Sequence, residues 1–312
     1  MVRLLGILIG LGFVFVAAWS LAWGIGAYIS DPPEKSVEHR FHQEPRDIAY
    51  SFDGPFGKYD RRQLQRGFQV YKEVCSSCHA LSFVAFRNLE ELGYNEAEVK
   101  AIADGWQTQV PDIDPKTGEA TGRKALPADH FPSPYPSEVA ARAANNNAMP
   151  PDLSLITKAR EGGPAYVASL LTGYRDAATF RTKKGEAVPA ESRPGPNLHF
   201  NPWFANLNIA MPPPLKSDGQ VSYEDGTRPT LDQMAKDVSA FLAWTAEPRL
   251  ENRRASGLAV LIFLLFATVL AYLAYQNIWH GGASRRVRMT GPLDPENMAK
   301  RDAASAEAGI EG

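Results

Sequence analysis

Residues 59–79 read YDRRQLQRGFQVYKEVCSSCH, and both the fold and the chemistry turn on this stretch. Leu64, Phe68, Tyr71 and, nearly in line, Val74 and Cys75 recur at helical spacing. The periodicity predicts a helix over 59–78, with Asp60 as its N-cap. Such a helix delivers Cys75 and Cys78 onto its buried face. Gly67 weakens the helix but lets another backbone approach closely. The stretch closes on Cys75-Ser76-Ser77-Cys78-His79, which holds the only two cysteines of the chain. Two thiols three positions apart can each add to one vinyl group of a haem, and the adjacent His then reaches the iron from the same side. A thioredoxin-like redox pair wants a strand–helix context and has no use for the His. A zinc site needs about four ligands, and no second cysteine pair exists. The pattern therefore predicts one covalently attached haem c, held by Cys75, Cys78 and His79.

Working outward, a second amphipathic helix is predicted over Leu231–Ala246. Thr230 and Gln233 have the spacing of a capping box, and Leu231, Ala235, Val238, Phe241 and Leu242 form the apolar stripe. Pro248 stops it. The two helices are expected to pack together and support the haem. A shorter helix is expected at Ala165–Leu171. Between these elements the chain is rich in proline and glycine, notably over 104–136 and 176–203, and is read as long loops.

Two apolar segments frame the chain. Leu4–Ile29 is nearly continuous in hydrophobic residues, and 256–275, SGLAVLIFLLFATVLAYLAY, carries no charge. Each is long enough for a hydrocarbon core of ~30 Å. Residues 1–30 are read as a signal peptide or a retained membrane helix. Residues 31–254 are read as an exported, periplasmic haem domain. Residues 255–278 are the C-terminal transmembrane helix and 279–312 a cytoplasmic tail, polar after Pro292. Arg285, Arg286 and Arg288 favour an inside C-terminus, although Arg249, Arg253 and Arg254 on the other flank blunt that signal.

A formal net charge of −2 gives no reason to expect nucleic acid. The stretch 31–250 is slightly acidic, with 29 Asp+Glu against 25 Lys+Arg. Glu90, Glu91, Glu96 and Glu98 could steer a basic partner, or could equally be a solvated helix face.

A sixth iron ligand would be Met or His. Met234 lies on the second predicted helix and is read as core. Met149 in NNNAMPPDLS and Met211 in NIAMPPPL both precede prolines that stiffen a loop. Local physics leaves them close to equal, with a slight edge for Met211. His39, His42, His130 and His199 read as solvated or hydrogen-bonded loop residues. Arg160, in KAREGG, reads as a solvated side chain on spacing alone.

The order of these features resembles the cytochrome c1 family of bacterial type, the c-type haem subunits of the ubiquinol–cytochrome c reductase complex. The resemblance is carried by GFQVYKEVCSSCHALSFVAFRNL, YPSEVAARAANNNAMPPDLS, KAREGGPAYVASLLTGY, FNPWFANLNIAMPPPL and MAKDVSAFLAWTAEP, spread over roughly residues 50–275. It implies a mainly α fold: a class I cytochrome c-like haem domain with long loop insertions, a C-terminal transmembrane helix and an N-terminal hydrophobic helix. It implies Met211 as the axial methionine, since the segment matching NNNAMPPDLS usually has an aliphatic residue where Met149 stands. It raises Arg160 to a haem-propionate contact and makes Asn145, Pro151 and Tyr166 pocket residues. It implies partners as well: cytochrome b and a Rieske iron–sulfur protein in a dimeric complex of the bacterial inner membrane, with cytochrome c as electron acceptor. Family members often begin with a cleaved signal, whereas Leu4–Ile29 could remain as an anchor, and the polar tail has no implied role. Two other readings are a membrane-tethered cytochrome c shuttle outside any complex and a haem enzyme such as a peroxidase. A shuttle usually has one N-terminal anchor and a haem domain near ~100 residues; a peroxidase needs an open sixth position.

Overall fold

The computed structural model describes residues 2–32, 35–282 and 295–307. It is mainly helical. The elements are α1 (Val2–Ser30), α2 (Val37–Phe41), α3 (Arg61–Val70), α4 (Glu96–Asp104), β1 (Val110–Ile113), β2 (Ala120–Arg123), α5 (Glu138–Ala144), α6 (Ile156–Ala159), α7 (Gly163–Leu171), β3 (His199–Phe200), β4 (Asn208–Ile209), α8 (Leu231–Ala246), α9 (Leu250–Gly282) and α10 (Pro295–Glu307). The chain divides into two compact units, residues 1–248 and 249–312.

The core of the first unit is built on α3 and α8. The expected N-cap of α3 is realised: Asp60 accepts from the backbone N–H groups of Arg62 and Gln63. The predicted single helix over 59–78 is corrected. The α-helix ends at Val70, continues as one wide π turn over Tyr71–Cys75, and gives way to a tight turn before His79. Ser76 and Ser77 explain the ending, because their hydroxyls donate to the carbonyls of Lys72 and Val74 and so compete with continued helical bonding. Leu64, Phe68 and Tyr71 are buried as the spacing predicts, while Val74 and Cys75 are half-buried.

Helix α8 has the predicted bounds, but its burial exceeds a stripe: most residues from Met234 to Thr245 are buried. The expected capping box is half realised. Thr230 Oγ1 accepts from Gln233 N at 3.1 Å, but the Gln233 amide turns inward and donates to Asp237 Oδ1 at 2.8 Å. It turns because Asp237 is fully buried and a buried carboxylate needs donors. Gln63 Nε2 at 3.0 Å and Arg66 Nε at 2.8 Å supply the others from α3. Gly67 sits at this crossing: a Cβ there would stand 2.1 Å from Asp237 O and 2.6 Å from Phe241 Cβ. The close approach expected of Gly67 is therefore what brings the two helices together. Aromatic rings fill the adjoining space, with Phe68 and Tyr71 centred 5.6 and 5.8 Å from Phe241.

Residues 104–136 are not wholly loop. Strands β1 and β2 form an exposed antiparallel hairpin, Val110 opposite Arg123 and Ile113 opposite Ala120. Its strands lack the in–out alternation that marks a half-buried strand, so no periodicity announced them. Arg123, paired with both Asp112 and Asp129, ties the hairpin down. Glu98 is a helix cap, accepting from Asn95 N at 2.7 Å, and Glu90 and Glu96 are exposed.

Among the described residues, α1 and α9 are the two helices long and apolar enough to cross a membrane. Their apolar side chains stand exposed along almost their whole length. Helix α9 begins several residues before the predicted span and runs past it. The basic residues Arg285, Arg286 and Arg288 lie outside the described residues. Part of the polar tail is the helix α10.

Candidate functional site

The turn after α3 presents Cys75, Cys78 and His79 together. Both cysteines are free thiols and half-buried. Burial, with a lesser contribution from neighbouring Cys78, pushes the Cys75 thiol up to about 12, so it stays protonated. His79 Nδ1 lies 2.7 Å from the carbonyl oxygen of Pro151. A carbonyl only accepts, so Nδ1 carries the proton and Nε2 keeps its lone pair for a metal. Burial lowers the His79 pKa, against the opposing effects of Pro151 and the Asp152 charge. The ring is therefore biased toward the neutral form that coordinates iron.

Pro151, expected in the pocket, meets His79 through a short zipper between residues 79–83 and 151–154. Leu153 N donates to Ala80 O at 2.9 Å. Ser82 N and Oγ donate to Asp152 Oδ2 at 2.8 and 2.7 Å. Ser154 N donates to Asp152 Oδ1 at 2.7 Å, and Phe83 N donates to Ser154 Oγ at 3.2 Å. Burial works against ionising Asp152, but the bonds from Ser154 and Ser82 outweigh it and hold the carboxyl below its ordinary value. The sequence gives little sign of Asp152 because its Ser82 partner lies 70 residues away. The only sequence signal was the invitation of an Asp followed two residues later by Ser, an Asx-turn pattern.

The other expected residues form two pairs. Asn145 Nδ2 donates to Tyr135 Oη at 2.9 Å and to Ala141 O at 2.7 Å. The pKa of Tyr135, whose phenol is held by Asn145, is raised by burial and by nearby Cys78, a neighbour the sequence did not single out. Arg160 is exposed, and its charge opposes the rise that burial imposes on the pKa of Tyr166, which is half-buried against the main core. The turn between them needs glycine: Gly162 has φ +77°, and a Cβ there would lie 2.5 Å from Pro45 Cγ.

The two candidate methionines differ. Met149 is 45% exposed, after Asn146 and Asn147 in left-handed conformations. Met211 is half-buried and packs against the same core as Cys75, Leu153 and Tyr166. The β3–β4 pair leads into it, and Tyr174 Oη donates to its carbonyl at 3.0 Å. Met234 is fully buried core, as expected. His39, within α2, and His42, at its C-terminal end, are exposed, His130 Nδ1 is 2.5 Å from Ser82 O, and the His199 ring lies edge-on to Tyr174.

Two unpaired thiols, a neutral imidazole with Nε2 free and a thioether at the edge of one apolar core are a donor set that fits a haem. Among the described residues, no three of His, Cys, Asp and Glu gather as metal ligands.

Comparison with known proteins shows the family. The family model described as "Cytochrome C1 family" matches residues 50–281. Cytochrome c1 of Rhodospirillum rubrum is 45% identical over 235 residues, covering 74% of this chain and 85% of that one. Cytochrome b/c1 of Bradyrhizobium diazoefficiens is 44% identical over 257 residues, covering 76% of this chain but only 36% of that longer protein. Cytochrome c1, heme protein, mitochondrial, of Saccharomyces cerevisiae is 41% identical over 257 residues, 82% of this chain and 78% of that one. The match runs through the cysteine pair, the loop that holds His79, the segment that holds Met211 and most of α9, and on it the chain belongs to the cytochrome c1 family.

Proposed function

We propose that this chain is the haem c subunit of a quinol–cytochrome c reductase complex of the bacterial inner membrane, passing single electrons from a Rieske iron–sulfur protein to cytochrome c. The observation that carries the reading is the His79 imidazole, fixed by Pro151 O with Nε2 left free, directly after two free thiols. One haem c, bound through Cys75 and Cys78, supplies reversible one-electron chemistry at iron. The residues of the chain do the rest. His79 and Met211 are the iron ligands, and methionine ligation favours the reduced state. The apolar core that Met211 borders disfavours extra charge and acts in the same direction. Arg160, beside Tyr166, meets a propionate, and Asn145 and Tyr135 close the pocket near Cys78. No side chain here has to move a proton or attack a bond, so the electron is the only cargo.

Residues 31–254 form the periplasmic haem domain and 255–278 the transmembrane anchor, with 279–312 on the cytoplasmic side. Residues 1–30 are a signal peptide or a second anchor. A helix apolar on every side, like α1 or α9, is at home in hydrocarbon rather than in water. Cytochrome b and the Rieske protein are its partners in a dimeric complex. The test is mild detergent extraction followed by tagged purification. Co-elution with a cytochrome b and a Rieske protein supports the reading; a haem protein that elutes alone supports the tethered shuttle instead.

A further inference from the structure

The His79 ring is oriented by a backbone carbonyl, and that carbonyl belongs to a loop which needs its own anchor. Pro151 donates no N–H, so its position depends on its neighbours. The next residue, Asp152, uses both carboxylate oxygens: Oδ2 accepts twice from Ser82 and Oδ1 once from Ser154 N. Ser82 itself is three residues past His79, so the carboxylate bridges the ligand segment and the loop that orients the ligand. Thr245 Oγ1 then ties the loop to α8 through Ser154 O at 3.2 Å.

We propose that Asp152 is a positioning residue for the proximal ligand, holding Pro151 O on His79 Nδ1 and placing a fixed negative charge near the imidazole. The proposal rests on the reading of His79 as an iron ligand. Its physical content is electrostatic as well as mechanical. An anion near the imidazole makes it a stronger donor and stabilises the ferric state, which lowers the reduction potential. The Ser82 hydroxyl, by donating to Oδ2, spreads part of that charge. Removing the charge and removing the hydroxyl should therefore shift the potential in opposite directions, which a merely structural role does not do.

The test is a redox titration of the α-band in the purified membrane complex carrying Asp152→Asn or Ser82→Ala, with ferric EPR g-values recorded alongside. The expected result is a higher midpoint potential for Asp152→Asn and a lower one for Ser82→Ala, both with a haem content equal to the parent. Shifts of the same sign, or an unchanged potential in Asp152→Asn, overturn the proposal. Where Asp152→Asn fails to accumulate, the Ser82→Ala titration decides alone, and a rise or no change there overturns it. Lack of any histidine-ligated low-spin signature in the parent protein overturns the His79 ligand reading together with the proposal. That signature with unmoved potentials overturns the proposal alone.

Discussion

The two sides of the candidate haem site are held in different ways. On the His79 side, the imidazole comes a π turn and a tight turn after a helix locked to α8, and residues 80–83 are bonded to residues 152–154 at several points. On the Met211 side, a two-residue strand pair and the single hydroxyl of Tyr174 hold the backbone. The first arrangement is rigid and redundant. The second gives up little when one bond is lost, and is drawn against the core mainly by apolar contact. On the proposed ligation, the Met211 side, held by fewer bonds, is the more adjustable of the two.

The sharpest break in this comparison is at the thiols. Cys75→Ala together with Cys78→Ala should abolish covalently bound haem, read as loss of the haem-stained band on a denaturing gel. An undiminished band would overturn attachment at this motif. Next comes the distal side. Met211→Leu should keep the haem and lower its midpoint potential strongly, while Met149→Leu should leave it near the parent value. A reversal would move the ligand to Met149. The helix crossing that supports the proximal side is tested by Gly67→Ala. The added methyl meets backbone, not a flexible chain end, so a destabilisation of about 3 kcal/mol is expected, at the upper end of overpacking costs; thermal unfolding measures it. The smallest effect belongs to Tyr174→Phe. Loss of one hydrogen bond to Met211 O should cost about 1 kcal/mol, with a small potential shift that remains well below that of Met211→Leu.

Much of the scaffold was legible locally. The bounds of α8, the cap at Asp60 and the need for Gly67 follow from periodicity and backbone sterics within a few residues. The π turn at Tyr71–Cys75 was not, because it depends on how Ser76 and Ser77 spend their hydroxyls once the cysteines face the core. The hairpin at 110–123 was missed because both faces are exposed, which leaves no alternation to read. Gln233 fits a capping box in isolation, and only the buried Asp237 draws it away.

The same division holds at the site. Local sequence was enough for the thiol pair with its adjacent histidine and for the two apolar helices at the ends. Each of these is a property of neighbouring residues or of one helix period. The packed chain was needed to show that Pro151 O orients His79, that Asp152 bridges the two segments, that Tyr135 lies near Cys78, and that Met211 borders the core while Met149 faces solvent. Those contacts join segments tens of residues apart. They form because burying α3 against α8 leaves polar groups that must find partners wherever the packed chain brings them.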